Sequence, residues 1–253
     1  MAAIQSYILC ATPRSGSTLL CDLLESTGAA GRPASYFRRQ SIPRWAARLN
    51  VPVAGDEDMP IFDRRYVDAV IAAGKAETGL FGLRLMRESA DDLSVWLDRL
   101  FPGPHNDRHR FEAAFGPASF IHLTRTDKVA QAVSRVRAMQ SGLWHVAADG
   151  TARERIEPAG RAGYDRTEIG RYVEQLEAQD RGWDDWFRSN GIVPLRLTYE
   201  ALSHDPRNVL ATVLSALGID PDIASGIEPR TAKLGDDESR NWAERFRTET
   251  SGN

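Results

Sequence analysis

Apolar positions in this chain form two kinds of pattern, which alternate along it. Short, largely apolar runs predict buried β-strands at residues 7–11, 80–85, 119–124 and 193–197. Between them, apolar residues recur every three or four positions, which predicts amphipathic helices. Because strands that alternate with helices are joined by right-handed crossovers, the pattern predicts an α/β fold whose sheet is mostly parallel and covered on both faces.

The helical pattern has clear stretches and long interruptions. The stretches lie at residues 19–24, 93–101, 129–139, 169–187 and 209–217. Gly218 is expected to end the last of these helices. Interruptions rich in Gly, Pro, Arg and Asp predict long loops at residues 28–62, 102–117 and 143–165. Since no repeat or low-complexity linker divides the chain, residues 1–253 are predicted to form one domain.

The composition bounds the class of partner and the location. Hydrophobic residues make up 42% of the 253 residues, charged residues 26%, and the net charge is −3, so no extended basic surface for nucleic acid is expected. Cys10 and Cys21 fall in a predicted strand and a predicted helix, which is typical of a chain with reduced cysteines. No apolar run reaches the roughly 18 residues of a membrane span, and the first residues lack the features of a secretion signal. We therefore expect no nucleic-acid partner, no membrane span and a cytoplasmic location.

The stretch "TPRSGSTLL" at residues 12–20 links the first predicted strand to the first predicted helix. In a parallel sheet, ligands bind beyond the carboxyl ends of the strands, where the helices begin. Gly16 allows the backbone to approach a ligand closely, and the free N–H groups of a first helical turn attract anions. Further donors come from an arginine and three hydroxyls: Arg14, Ser15, Ser17 and Thr18. The stretch predicts an anion-binding loop in a P-loop-like three-layer sandwich with a mostly parallel central sheet.

Other interpretations of this loop stay open. The nucleoside-triphosphatase motif G-x-x-x-x-G-K-[ST] requires a lysine where Ser17 stands, which weakens the alternative of a metal-dependent P-loop kinase. A simple serine-capped helix after a strand would explain the same residues without any ligand.

A second strand end carries a similar pattern. In "HLTRTDKVAQAVS", Arg125 follows a predicted strand, Asp127 or Thr126 is placed to cap the next helix, and Ser134 lies on that helix. Two cationic strand ends suit a ligand with two separated anionic groups. The alternative is that Arg125 forms a surface ion pair.

Together these motifs resemble the sulfotransferases that use 3′-phosphoadenosine 5′-phosphosulfate, and more narrowly the bacterial Stf0-type family. The matching pieces are "RSGSTLL", "GRPASYF", "FGLRLM", "RTDKVAQAVS", "GWDDWF" and "ESRNWAERFR", which span almost the whole chain in the same order. The resemblance implies transfer of a sulfuryl group from this nucleotide to a hydroxyl of a carbohydrate or glycolipid acceptor, and a homodimer.

The resemblance also implies roles for individual residues. The phosphosulfate would be bound by Pro13, Arg14, Ser15, Gly16, Ser17 and Thr18. The 3′-phosphate would be bound by Arg125 and Ser134, and the segment around Ser239 and Trp242 would close over the nucleotide. Arg14 would also be catalytic, because it would stabilise charge on the leaving phosphate and on the sulfuryl oxygens.

No metal is expected to take part. A sulfuryl group carries less charge than a γ-phosphoryl group, so protein cations suffice to stabilise its transfer. His105 and His109 are four residues apart, but they fall in a stretch predicted to be a loop, so we interpret them as solvated residues.

The resemblance fails at one catalytic position. The Stf0-type family typically has G-x-P-x-E-[YF]-F after the first helix, where the glutamate is taken as the general base, whereas this chain has Ser35. A serine hydroxyl is a poor base at neutral pH. Three hypotheses follow: another group such as His145 takes the proton, a loose transition state tolerates weak proton removal while Ser35 orients the acceptor, or the protein binds the nucleotide without turnover. For His145, a loop residue without a catalytic role is the competing interpretation.

The stretch from 31 to 48 is rich in arginine and has no acidic residue. It is either a solvated basic face or an acceptor site for a sugar that bears anionic groups. Its aromatic residues would stack on sugar faces or pack in the core: Tyr36, Phe37 and Trp45. Arg84 and Arg87, near the end of another predicted strand, would line the same opening. Trp183 and Trp186 are interpreted as core residues.

Overall fold

The computed structural model describes residues 3–52, 59–103, 106–146, 152–155, 163–228 and 237–251. The strands in these residues are β1 (Ser6–Ala11), β2 (Phe81–Met86), β3 (Ala118–Thr124), β4 (Leu143–Val146), β5 (Ala152–Arg155) and β6 (Leu195–Thr198). Four of them form a fully parallel sheet with the order β2-β1-β3-β6, and β4 pairs with β5 in a separate antiparallel ribbon. The predicted parallel sheet is confirmed.

Helices connect and cover these strands. They are α1 (Ser17–Ser26), α2 (Ile42–Arg48), α3 (Met59–Lys75), α4 (Arg87–Leu100), α5 (Asp107–Phe115), α6 (Lys128–Ser141), α7 (Arg166–Ser189), α8 (Tyr199–His204), α9 (Pro206–Ala216) and α10 (Asp237–Ser251). Short 3₁₀ turns span Arg39–Ser41 and Pro221–Gly226. None of the helices in the described ranges is both long enough and apolar enough to cross a bilayer.

Side chains that alternate along β1 separate two apolar cores. Ile8 and Cys10 pack in one core with residues of α3, α4, α5 and α7. Tyr7 and Leu9 pack in the other core with residues of α1, α8 and α9. Because successive side chains of a strand point to opposite faces of the sheet, these two cores place helices on both faces. The predicted three-layer sandwich is therefore confirmed.

A third apolar cluster joins three helices beside the sheet. It contains Val133 and Val136 of α6, Leu176 of α7, and Trp242 and Phe246 of α10. The cluster fixes the position of α10 against α6 and α7.

Two helix termini that the sequence predicts form as expected. The carboxylate of Asp127 accepts a hydrogen bond from the backbone N–H of Ala130 and caps α6. Gly218 follows the end of α9 with a positive φ of 74°, which glycine adopts at little cost.

The prediction of three long loops was wrong in part. Residues 102–117 contain α5, whose N-cap Asn106 accepts a hydrogen bond from the N–H of His109 and which buries Phe111 and Phe115. Residues 28–62 contain α2 and the start of α3, and residues 143–165 contain β4 and β5. The Gly, Pro and Arg content of these stretches hid pairs of apolar residues spaced by four, such as Phe111 and Phe115.

His109 therefore lies in the first turn of a helix rather than in a loop, and it is exposed. His105 lies outside the described residues. Both cysteines are buried without a disulfide, and burial raises the pKa of each thiol.

The sheet order determines where a ligand can bind. β1 and β3 are neighbours, and the connection that leaves β1 runs towards β2 whereas the connection that leaves β3 runs the other way, towards β6. A crevice forms at such a switch point, beyond the carboxyl end of the strand. Residues 12–16, which follow β1, lie at this point.

His122 is a titratable group enclosed by the fold. Its ring is 1% exposed, lies 5.1 Å from the ring of Phe187, and accepts a hydrogen bond at Nδ1 from Nη1 of Arg196 over 3.1 Å. Burial, together with the charge of Arg196, lowers the pKa of His122 to about 4. The neutral ring is the form that the folded protein accommodates.

We predict that His122 makes the free energy of unfolding decrease as the pH is lowered below neutrality. Because its folded pKa lies below its unfolded value near 6.5, the unfolded state takes up the proton first, and stability is lost as pH falls from about 6.5 towards 4. Between pH 7 and pH 5 this contributes about 2 kcal/mol. Urea unfolding at both pH values measures the decrease in unfolding free energy from pH 7 to pH 5. This decrease should be smaller by the same amount in His122→Asn than in the unmodified protein. Equal losses in the two proteins would contradict the prediction.

Candidate active site

The loop after β1 has the backbone of an anion-binding turn. Arg14 and Gly16 both have positive φ, at 65° and 85°, and α1 begins at Ser17. Gly16 is the N-cap residue, so the N-cap position has no side chain that could accept a hydrogen bond from the helix. The interpretation as a serine-capped helix is therefore wrong. Left-handed residues turn successive N–H groups towards one point, and such a concavity attracts anions.

The hydroxyl of Ser15 supports a ligand at this loop. Ser15 is fully buried, and its Oγ has no hydrogen-bond partner within the described part of the chain. Because an unsatisfied buried hydroxyl costs free energy, such a group in a native protein calls for an explanation. An oxyanion in the loop would provide its partner. Ser17, the next hydroxyl, is also buried, at 4% exposure.

The side-chain amide of Gln131 holds the loop from behind. Its Nε2 donates to Thr12 Oγ1 over 3.0 Å and to the carbonyl of Pro13 over 2.7 Å. Its Oε1 accepts from Nζ of Lys128 over 3.2 Å. All the main hydrogen-bonding positions of this buried amide are thus used. The contacts fix the loop relative to α6.

Lys128 forms an ion pair with Asp180 of α7. Its Nζ lies 2.5 Å from Oδ2 of Asp180 on α7. Burial raises the pKa of Asp180, and the hydrogen bond and charge of Lys128 oppose that increase. The lysine therefore compensates the charge of a partly buried carboxylate.

A cavity of about 400 Å³ opens beside the loop. Nε of Arg14 donates to Oγ of Ser134 over 3.0 Å, and Nη1 of Arg14 donates to the carbonyl of Trp144. Ser239 and Trp242 of α10 also line the cavity. The structure thus brings four of the predicted nucleotide-binding residues to one cavity.

Arg137 lines the same cavity and was not singled out from the sequence. Its guanidinium donates to Oγ of Ser239 and, over 2.6 Å, to Oε2 of Glu238. Arg137 follows Ser134 by three positions on α6, so both side chains lie on one face of the helix. That spacing is the signal from which the residue could have been found.

Trp242 contributes one edge of the cavity wall. It is 9% exposed, and its ring lies 5.9 Å from that of Tyr164 in an edge-on contact. The guanidinium of Arg137 lies 5.7 Å from the same indole. Trp242 therefore attaches α10 to the cavity wall.

Arg125 lies near the loop but is absent from the lining of this cavity. Its guanidinium lies over the ring of Tyr199 at 4.4 Å, and its Nε is buried without a hydrogen-bond partner in the described residues. Burial lowers the pKa of Arg125, whereas Tyr199, Asp127 and Glu200 raise it. The ring of Tyr199 also lies against Gly16, where a Cβ would be 2.7 Å from its Cδ2. The role of Arg125 in binding the 3′-phosphate stays a prediction.

Ser35 forms part of a bridge made by Arg84. Nε of Arg84 donates to Oγ of Ser35 over 2.8 Å, and Nη1 donates to Oγ1 of Thr18 over 2.7 Å. Thr18 lies in the first turn of α1. The guanidinium therefore connects the anion-binding loop with the position where the Stf0-type pattern has glutamate.

His145 lies on β4, directly after Trp144, whose carbonyl accepts the hydrogen bond from Arg14. This places the backbone of β4 beside the loop. The side chain of His145 lies outside the described part of the structure, so its catalytic role stays a prediction.

The aromatic residues that follow α1 pack in or against the core. Tyr36 and Phe37 are buried at 2% and 3% exposure, so the hypothesis that they stack on sugars is wrong. Trp45 packs on Tyr36, with ring centroids 4.7 Å apart. Trp183 and Trp186 are buried core residues, as predicted.

The side chains of the described residues include no cluster of three or more His, Cys, Asp and Glu that could hold a metal ion. The groups around the loop that could bind a ligand are arginines, hydroxyls and backbone N–H groups.

These features define an α/β protein with an arginine- and hydroxyl-based anion loop. The fold is that of a sulfotransferase domain from the Synechococcus PCC 7002 olefin synthase, with a TM-score of 0.51 and 17% identity over 98% of this chain and 89% of that one. The Stf0 sulphotransferase family model matches residues 6–249, and the chain belongs to this family. It is accordingly a sulfotransferase, which takes a sulfuryl group from a donor co-substrate.

Curated relatives cover nearly the same length. A trehalose 2-sulfotransferase of Mycolicibacterium smegmatis is 32% identical, covering 96% of this chain and 94% of the relative. A trehalose 2-sulfotransferase of Mycobacterium tuberculosis is 29% identical, covering 98% of this chain and 96% of the relative.

We predict that Gly16→Ala destabilises the protein more than Gly28→Ala does. Both glycines have positive φ, so each alanine costs about 1 kcal/mol for its left-handed backbone. Only the alanine at Gly16 also meets a neighbour, at 2.7 Å, whereas nothing lies within 4 Å of a Cβ at Gly28. Urea unfolding measures the difference. Equal losses would show that the contact with Tyr199 adds no constraint.

Proposed function

We propose that this sulfotransferase uses 3′-phosphoadenosine 5′-phosphosulfate as donor and a hydroxyl of a carbohydrate or glycolipid as acceptor. The supporting observation is the hydrogen bond of 3.0 Å between Arg14 of the loop and Ser134 of α6, which are 120 residues apart. This donor has anionic groups at its 5′ and 3′ positions. A site where two sets of anion-binding side chains share one cavity suits such a molecule.

The 5′-phosphosulfate would bind in the loop after β1. There it would accept hydrogen bonds from the N–H groups at the start of α1 and from the buried hydroxyl of Ser15. Arg14 would move from Ser134 to the phosphosulfate, because a doubly charged oxyanion is a better acceptor than a neutral hydroxyl.

The 3′-phosphate would bind between α6 and α10. Ser134, Arg137 and Ser239 line this part of the cavity, and Arg137 supplies the charge. Glu238, which accepts from Arg137, would be displaced by the phosphate. The carboxylate is exposed, so its release into water costs little.

In the transfer step, the bond between sulfur and the bridging phosphate oxygen breaks as a bond from sulfur to the acceptor oxygen forms. The acceptor loses its proton and adenosine 3′,5′-bisphosphate leaves. Such a transfer depends on in-line positioning and on stabilisation of charge. A charged donor such as Arg14, aimed at the leaving oxygen, contributes about 3 kcal/mol, or about 10²-fold in rate.

The acceptor proton has two candidate routes. Ser35 accepts a hydrogen bond from a guanidinium, which makes its oxygen an even weaker base. One route therefore uses His145 as base, and in the other a loose transition state lets the proton leave late, with Ser35 orienting the acceptor.

The relatives support a sugar as acceptor, since both are named trehalose 2-sulfotransferases. A homodimer, a single domain over 1–253 and a cytoplasmic location remain predictions. The rival functions are a nucleotide-binding protein without turnover, motivated by Ser35, and a P-loop kinase. The kinase is disfavoured because Ser17 stands at the lysine position of the motif and Lys128 is paired with Asp180.

We predict that the protein binds adenosine 3′,5′-bisphosphate at least about tenfold more tightly than ATP with Mg²⁺. The bisphosphate places anions at both ends of the cavity, whereas ATP lacks the 3′-phosphate. Isothermal titration calorimetry of the purified protein compares the two ligands. Tighter binding of ATP would remove the proposed donor.

Turnover is measured in the same experiment series. Release of the bisphosphate from the donor in the presence of a mixture of sugars, and its loss in Arg14→Ala, separates an enzyme from a protein that only binds. Absence of release with every sugar would favour the binding protein.

We predict that Arg137→Gln weakens the bisphosphate about tenfold and leaves 5′-AMP nearly unchanged. The expected loss is that of one charge-assisted hydrogen bond to a 3′-phosphate, which 5′-AMP lacks. Arg125→Gln tests the alternative assignment, since Arg125 lies over Tyr199 outside the cavity lining. Calorimetry gives, for each variant, the ratio of the dissociation constants for the bisphosphate and for 5′-AMP.

Arg240→Gln is the matched control, because Arg240 is an exposed arginine at the start of α10 that pairs with Asp237. It should leave both affinities unchanged. A selective loss of bisphosphate binding in Arg125→Gln, with none in Arg137→Gln, would assign the 3′-phosphate to Arg125 instead.

A further inference from the structure

Arg84 is a partly buried cation with uncharged partners. Its two hydrogen bonds go to the hydroxyls of Ser35 and Thr18. Within the described part of the chain, none of the ion pairs closer than 4 Å includes its guanidinium. A guanidinium that is partly removed from water is stabilised most by an anionic acceptor, which these contacts do not supply.

The nearby thiol does not provide that anion. Burial raises the pKa of Cys21 to about 12, although the charge of Arg84 acts to lower it. The thiol is therefore neutral at physiological pH, and the positive charge of Arg84 is not cancelled by it.

The segment that carries Ser35 adds positive charge. Residues 31–48 contain five arginines and no acidic residue: Arg32, Arg38, Arg39, Arg44 and Arg48. Arg32 lies 3.6 Å from Glu25. Nε of Arg38 is buried and has no hydrogen-bond partner in the described residues. The segment thus contains a guanidinium N–H without an acceptor, three residues after Ser35.

The position of Arg84 relates it to the acceptor rather than to the nucleotide cavity. It contacts the first turn of α1, where the sulfuryl end of the donor would lie, and Ser35, on the loop that follows α1. It does not line the cavity of Arg14, Ser134 and Arg137.

We propose that Arg84 binds an anionic group of the acceptor, so that the substrate is a sugar bearing a carboxylate or a phosphate near the hydroxyl that is sulfated. The uncharged side chain of Ser35 leaves the guanidinium available for this oxyanion. Arg84 is then a residue that determines specificity for the acceptor. The proposal rests on the proposed function, since it requires that the acceptor bind beside the loop.

The test measures sugar binding and does not require turnover. Protein saturated with adenosine 3′,5′-bisphosphate is titrated with glucose, glucuronic acid and glucose 6-phosphate, and dissociation constants are obtained by ligand-observed NMR. We expect at least one anionic sugar to bind about tenfold more tightly than glucose, because it adds a charge-assisted hydrogen bond. The carboxylate and the phosphate arms show which oxyanion fits. We expect the preference to shrink in 0.5 M NaCl, because added salt screens the attraction.

Two substitutions of Ser35 separate charge from size. Ser35→Glu places a carboxylate beside Arg84 and should abolish the preference for an anionic sugar. Ser35→Gln has nearly the same size without the charge and should keep it. Arg84→Gln should abolish the preference, and its melting temperature shows whether it has folded.

The proposal is overturned if glucose binds as tightly as both anionic sugars, or if neither anionic sugar binds. It is also overturned if Ser35→Glu and Ser35→Gln lose the preference equally, or if folded Arg84→Gln retains it. Binding of the bisphosphate is measured separately in each protein, so failure of the donor assignment is distinguished from failure of the acceptor assignment.

Discussion

The side-chain amide of Gln131 is the contact on which the site depends. It is fully buried, and it joins Thr12 and Pro13 at the end of β1 to Lys128 at the start of α6. A buried amide with all its partners in place is rigid, because any shift would leave a donor or acceptor unpaired. The first turn of α6 is thereby fixed on the loop, and Ser134, one turn further along, is held within reach of Arg14.

The cations around the loop differ in whether a carboxylate compensates their charge. Lys128 is compensated by Asp180, and Arg137 by Glu238. Arg84 and Arg125 instead contact hydroxyls and an aromatic ring. Because a guanidinium keeps its charge in such surroundings, the protein retains cations whose best acceptors are oxyanions from outside. This distribution is compatible with the net charge of −3, since the cations are concentrated locally.

Local sequence signals predicted the parts of the structure that depend on local contacts. The strand ends, the Asp127 cap and the loop after β1 are each set by a few consecutive residues. The helices α3 and α5 were missed because Phe62, Tyr66 and Val70, like Phe111 and Phe115, are spaced by four within stretches that are otherwise polar or rich in Gly and Pro. These helices are stabilised by tertiary packing more than by local sequence preference.

In the candidate site, too, the features set by local sequence were predicted and those set by tertiary contacts were not. Arg14 and Ser134 came from motifs, whereas the bridge from Arg84 to Ser35 and Thr18 joins residues 49 and 66 positions apart. Motif spacing in the sequence does not predict a contact between residues so far apart. The contact follows from the parallel register that aligns Arg84 with Leu9 and from the contact of residue 34 with the edge strand β2.

The attachment of α10 has a consequence for biosynthesis. Ser239 and Trp242 complete a cavity whose other walls come mainly from residues 14 and 134–143, with Gly163. During translation α6 leaves the ribosome about 100 residues before this helix, and the loop leaves earlier still, so at typical synthesis rates the interval is at least several seconds. Throughout that interval the nascent chain has an incomplete cavity. A ligand that needs the complete cavity can therefore stabilise the protein only at the last folding step, when α10 docks.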